Sequence, residues 1–161
     1  MPHNICAIVI EGPYDVARAA SLDLRPTLTH GALTVLPIDH YWSAVQGALR
    51  GRSEQLDMPN RRLLPGDAVI ADIVRELTGA PEPRFAIIWT EYFGGAGDQA
   101  ASAFAGERRL TTGTTINEAL RALDVVRAGE LDEFDTIGLG GFRSNPEYLE
   151  AYIERAEALG V

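Results

Sequence analysis

Lysine is absent, and all 14 basic residues of this 161-residue chain are arginine. That excludes Schiff-base chemistry, pyridoxal phosphate attachment and a phosphate-loop lysine. Cysteine occurs once, at Cys6, so neither an internal disulfide nor a cysteine-based zinc site can form. The lone thiol lies in the apolar run Ile5 to Ile10 and is expected to be buried and inert. No apolar run reaches the length of a membrane span. No basic stretch precedes Ile5, and Glu11-Gly12-Pro13 ends the run early, so it reads as a strand and not as a signal peptide. The localisation expected from this is bacterial and cytoplasmic. A net charge of −9 and a pI of about 4.7 argue against a nucleic-acid groove. They suit a cationic protein partner, which such a field would steer, and equally suit nothing beyond solubility. Neither G-x-S-x-G nor H-E-x-x-H occurs, and His3, His30 and His40 share no metal spacing. The sequence predicts no cofactor and no metal, and it assigns no catalytic residue.

What remains is ordinary for one globular domain over residues 1–161: 46% hydrophobic and 23% charged residues. Ile5 to Ile10 reads as a strand buried on both faces. Tyr14 to Ala20 reads as a short helix begun by Pro13, and Leu33 to Ile38 as a strand stopping near Pro37. Asp39 is expected to cap a helix with Trp42, Val45 and Leu49 inward, ended by Gly51. Residues 50–60 read as a polar surface loop. Asp67 is expected to open a helix carrying Val69, Ile70, Ile73, Val74 and Leu77 at core spacing, with Gly79 as its stop. Arg84 to Thr90 is the strongest strand in the chain. Gln99 to Gly106 returns antiparallel to it, or, being alanine-rich, forms a helix. Thr115-Ile116-Asn117-Glu118 is a capping box for a helix closing near Gly129. Ser144 to Glu147 opens a last helix facing the core with Tyr148, Leu149, Tyr152, Ile153 and Leu159. The order lacks a regular βαβ period. The fold class expected is α+β, a small mixed or antiparallel sheet covered by helices on one face.

The segment with most chemical content is Thr90-Glu91-Tyr92-Phe93-Gly94-Gly95-Ala96-Gly97-Asp98-Gln99. Its three glycines suggest positive φ or a close backbone approach. Glu91 and Asp98 flank them, and two readings follow. The carboxylates divide acid and base roles or hold a cation, or Asp98 accepts local backbone N–H groups in a turn. A second glycine segment follows three carboxylates and ends in Arg143: Asp132-Glu133-Phe134-Asp135-Thr136-Ile137-Gly138-Leu139-Gly140-Gly141-Phe142-Arg143. Its glycine spacing fails the dinucleotide fingerprint, and its acids lack EF-hand spacing. Should the two segments meet, Arg143 would pair with Glu91, Asp98 or Asp135. The candidate binding residues are therefore Glu91, Tyr92, Asp98, Gln99 and Arg143. Asp39 could orient the His40 imidazole, or Asp39 caps a helix and His40 is exposed.

Glu91 to Gln99, Ile116-Asn117-Glu118-Ala119-Leu120, and Asp132 to Asp135 with Gly138-Leu139 together resemble a group of small bacterial cytosolic proteins of unknown function. Some of these resemble immunity proteins of toxin–antitoxin-type competition systems. The resemblance covers Phe85 to Arg143, and it implies a bacterial protein that binds a protein partner. The function expected is a non-enzymatic binding protein whose acidic face takes a cationic protein. The alternative is a small hydrolase or ligand-binding enzyme using the carboxylates at the glycine-rich turn. The sequence sets no oligomeric state.

Overall fold

A computed structural model describes residues 3–59, 61–93 and 96–161. Among these residues six antiparallel strands form one open sheet: β1 (His3–Glu11), β2 (Leu28–His30), β3 (Leu33–Pro37), β4 (Arg84–Phe93), β5 (Ala96–Ala105) and β6 (Arg108–Arg109). Their order across the sheet is β2-β3-β1-β4-β5-β6. With six α-helices around them among the described residues, the fold is α+β.

Alternate residues of a strand face opposite sides of its sheet, and here both sides are buried. On one side Cys6, Ile8, Ile10, Phe85, Ile87 and Phe104 pack beneath α1 (Val16–Ser21), α2 (His40–Arg50), α3 (Val69–Thr78) and α6 (Ala151–Leu159). On the other, Ile5, Ala7, Val9, Ala86, Ile88 and Ala101 pack beneath α4 (Ile116–Ala122) and the residues that follow α5 (Glu133–Thr136), Ile137, Leu139 and Phe142. The expectation of helices on one face is corrected to helices on both. The capping box announces α4, but its seven residues and the four of α5 are too short for periodicity to assign them to a second face of the sheet.

Several local predictions hold. The Asp39 carboxylate accepts the Trp42 N–H, and Gly51 ends α2 in the left-handed region at φ +64°. All five predicted core positions of α3 are buried, and Gly79 stops that helix at φ +70°. Gln99 to Ala105 is strand, not helix. Other expectations are corrected. α1 starts at Val16 with Asp15 as its cap, and α4 ends at Ala122, before the non-glycine turn at Asp124. Leu49, Ile153 and Leu159 are exposed. Residues 50–60 are not wholly a surface loop, since Leu56 and Met58 are buried in the first core. Asp67 does not cap α3. Its carboxylate accepts the Ser43 hydroxyl (2.5 Å) and the Gln55 amide (2.6 Å), tying α2 and this loop to the start of α3. No helix among the described residues is long and apolar enough to cross a membrane.

Candidate functional site

The segment expected to be a turn is mostly strand. β4 continues through Phe93 and β5 begins at Ala96, pairing Thr90 with Gln99, Glu91 with Asp98, Tyr92 with Gly97 and Phe93 with Ala96. Cross-strand partners share a face, so this register divides the candidate residues. Glu91 and Asp98 lie on the α2–α3 side, and Tyr92 and Gln99 lie on the α4–α5 side. Gly94 and Gly95 fall outside the described residues. Gly97 has no positive φ; it is needed for close approach. A Cβ there would overlap the Glu91 carbonyl oxygen and sit 2.6 Å from Tyr92 Cα.

On the first side, Glu91 and Asp98 are exposed and form no ion pair among the described residues. Phe93 shares their face and is 76% exposed. Asp98 Oδ1 accepts the Gln99 N–H at 2.8 Å, the local bond one reading of the turn expected. Nearby on this side a cleft of about 330 Å³ is lined by Asn4, Cys6, Asp39, His40, Trp89, Ser144 and Asn145. Burial raises the Asp39 carboxyl above its ordinary value, against the Trp42 N–H that it accepts. Burial, then the Asp39 charge, pushes the Cys6 thiol far up. A buried thiol held protonated is a poor nucleophile. His40 is exposed and its ring nitrogen contacts the Leu63 carbonyl at 3.1 Å, while Asp39 serves as a cap.

On the second side, Tyr92 and Gln99 open a cleft of about 290 Å³ with Thr90, Ile116, Asn117, Asp132, Phe134 and Asp135. Helix caps organise it. Gln99 Oε1 accepts the Ile116 N–H at 2.9 Å, and its Nε2 donates to the Tyr92 hydroxyl at 3.2 Å. Asn117 Oδ1 accepts the Phe134 N–H at 2.8 Å, and its Nδ2 donates to Asp132. Asp132 in turn caps α5 through the Asp135 N–H. At the base, His3 Nδ1 lies 2.5 Å from the Thr90 hydroxyl and Nε2 lies 3.3 Å from the Leu139 carbonyl. A carbonyl only accepts, which assigns the proton of a neutral ring to Nε2 and makes Thr90 the donor to Nδ1. Both residues are buried. Sequence reasoning gave His3 no role because its partners lie 87 and 136 residues away.

The second glycine segment reaches the same end of the sheet. Asn4 N–H donates to the Arg143 carbonyl at 2.8 Å, and Asn145 N–H donates to the Asn4 carbonyl at 3.1 Å. Asn145 locks this join, accepting from Cys6 N–H (2.9 Å) and donating to the Ile38 carbonyl (2.7 Å). β1 therefore lies between this segment and the hairpin. The expected ion pairs of Arg143 with Glu91, Asp98 or Asp135 are absent among the described residues. No cluster of three or more metal-ligating side chains occurs among them either. A larger hollow of about 470 Å³ along α2 is lined by Ala44, Gly47, Ala48, Gly51 and Val161 with Ser53, Arg52 and Asp67; Arg52 is paired with Glu54, Asp72 and Glu107, and Asp67 with Ser43 and Gln55. No family model matches the chain, and comparison with curated proteins and with solved structures finds no match.

Proposed function

We propose that the chain is a non-catalytic binding protein that engages a basic protein partner at the Glu91–Asp98 end of its β4–β5 hairpin, as an immunity protein covers a cationic toxin. One observation carries the reading: two carboxylates stand opposite each other on an exposed strand face with no cation between them among the described residues. Like charges so placed destabilise a sheet, and a guanidinium from outside would turn that repulsion into two attractions. Phe93 beside them supplies an apolar contact, and aromatic side chains are frequent anchors of interfaces. The net charge of −9 favours encounter with a basic surface. The hydrolase alternative has less support, because Glu91 and Asp98 face away from the cleft holding Tyr92 and Gln99.

The test uses a fluorescent arginine-rich peptide as a stand-in for the partner and measures its anisotropy. The double variant Glu91→Gln/Asp98→Asn should bind at least about tenfold more weakly, a loss of about 1.4 kcal/mol. The charge-matched control Glu130→Gln/Glu154→Gln, altered at exposed sites elsewhere, should bind nearly as the parent does. Equal weakening in both variants would mean diffuse attraction to an acidic protein and would refute the reading.

A further inference from the structure

The cleft behind the hairpin has free hydrogen-bonding capacity of two kinds, and that combination selects a ligand class. Gln99 and Asn117 are each fixed in orientation, because their oxygens accept backbone N–H groups of Ile116 and Phe134. Each therefore turns its NH₂ group toward the cleft with one proton already given, to Tyr92 and to Asp132 respectively. One amide proton remains on each. The Tyr92 hydroxyl accepts from Gln99, so its own proton is free to donate. Three donors thus line the cleft. The free acceptors are the Asp135 carboxylate, which has no hydrogen-bond partner among the described residues, and the spare lone pairs of Asp132.

An anion would meet two carboxylates in a cleft that no arginine lines. A cation would satisfy the carboxylates and leave the three donors unmatched. A hydroxyl both donates and accepts, so a molecule carrying several hydroxyls can pair with donors and acceptors together. Ile116 and the ring of Phe134 supply apolar wall for its C–H faces. A volume of about 290 Å³ lies just below the range for drug-sized pockets, about 300–1,000 Å³, which suits a single ring. Thr90 adds a fixed base, since its hydroxyl proton is committed to His3.

From this accounting we propose that the cleft of Tyr92, Gln99, Asn117, Phe134 and Asp135 binds a small uncharged polyhydroxyl molecule the size of one sugar ring. The site is distinct from the basic-partner face, being on the opposite side of the β4–β5 pair.

The test is a titration of the full ¹⁵N-labelled chain with myo-inositol, D-glucose and D-ribose, with n-butylammonium and inorganic phosphate as comparison probes. The side-chain NH₂ signals of Gln99 and Asn117 are the readout. At least one polyol should shift them saturably. Tyr92→Phe and Asp135→Asn should each weaken that binding about tenfold, the scale of one lost hydrogen bond, while Glu154→Gln, exposed on α6, leaves it unchanged. Unmoved amide signals with all three polyols would overturn the proposal, as would saturation by n-butylammonium or phosphate alone, or binding by both cleft variants as tight as the parent's. Folding of each variant is checked by its thermal midpoint, and the wild-type titration stands whatever the variants do. Failure here leaves the peptide experiment with Glu91 and Asp98 untouched.

Discussion

Glu91 and Asp98 face each other across the β4–β5 pair, both exposed. Directly opposed like charges cost a sheet roughly 0.2–1 kcal/mol. Neutralising either one, by Glu91→Gln or Asp98→Asn, should leave the unbound protein equally stable or raise its stability by up to about 1 kcal/mol. Urea unfolding at low ionic strength reads this, and the gain should shrink in high salt as the repulsion is screened. Loss of stability on both substitutions would show that the carboxylates hold the hairpin together.

At Gly97 β5 approaches β4 so closely that a Cβ there would run into the backbone of Glu91 and Tyr92. Gly97→Ala should destabilise by about 1–3 kcal/mol, the scale of overpacking. Because both clefts flank this hairpin, the same substitution should disturb the amide signals of Gln99 as well. A thermal midpoint equal to that of the parent would show that the strands can part there at no cost.

Much of the scaffold is legible in the chain. Ile5 to Ile10 and Phe85 to Trp89 announce strands because apolar residues occupy every position, the pattern of a strand with two buried faces. Asp39 and Gly51 bracket α2, and Thr115 caps α4 as its sequence suggests. The Glu118 arm of that capping box departs from expectation. Its carboxylate reaches back to the N–H groups of Thr112 and Gly113. The site is less legible for a physical reason. Ending β4 at Thr90 turns Glu91, Tyr92, Asp98 and Gln99 into a single loop cluster, whereas three further strand residues separate them onto two faces. The bonds of His3 to Thr90 and of Asn145 to Cys6 and Ile38 join positions far apart in the chain, where no local pattern forms.

Ile87 and Ser102 are cross-strand partners in the first core, and both are fully buried. Ile87→Asp would place an unpaired charge there and should cost more than about 4 kcal/mol, enough to unfold a marginal protein. The Ser102 hydroxyl has no hydrogen-bond partner among the described residues. An unpaired buried hydroxyl carries a desolvation penalty of about 1–3 kcal/mol. Ser102→Ala should therefore be neutral or stabilising. Opposite responses at two facing positions, read from thermal midpoints, would confirm that this strand pair lies at the centre of the core. A near-unchanged midpoint for Ile87→Asp would remove β4 from it.

Asp39 and Glu76 should give the stability curve opposing slopes in acid. Burial raises the Asp39 carboxyl in the folded protein, so folding favours its protonated form. Its contribution is fully present below the ordinary carboxylate value of about 3.9 and is lost as pH rises through the raised folded value. Glu76 behaves in the reverse sense. Its hydrogen bond to Arg50 at 2.6 Å, and then the one to Arg18, lowers its pKa. That contribution is present above the ordinary value of about 4.3 and is lost as pH falls through the lowered one. Asp39→Asn keeps an oxygen to accept the Trp42 N–H and should remove the loss of stability on the rising side. Glu76→Gln should flatten the loss on the falling side. Urea midpoints measured from about pH 3 to 7 separate the two, since each substitution alters one limb of the curve. Parallel curves for parent and Asp39→Asn would mean that the cap is solvated in the folded chain.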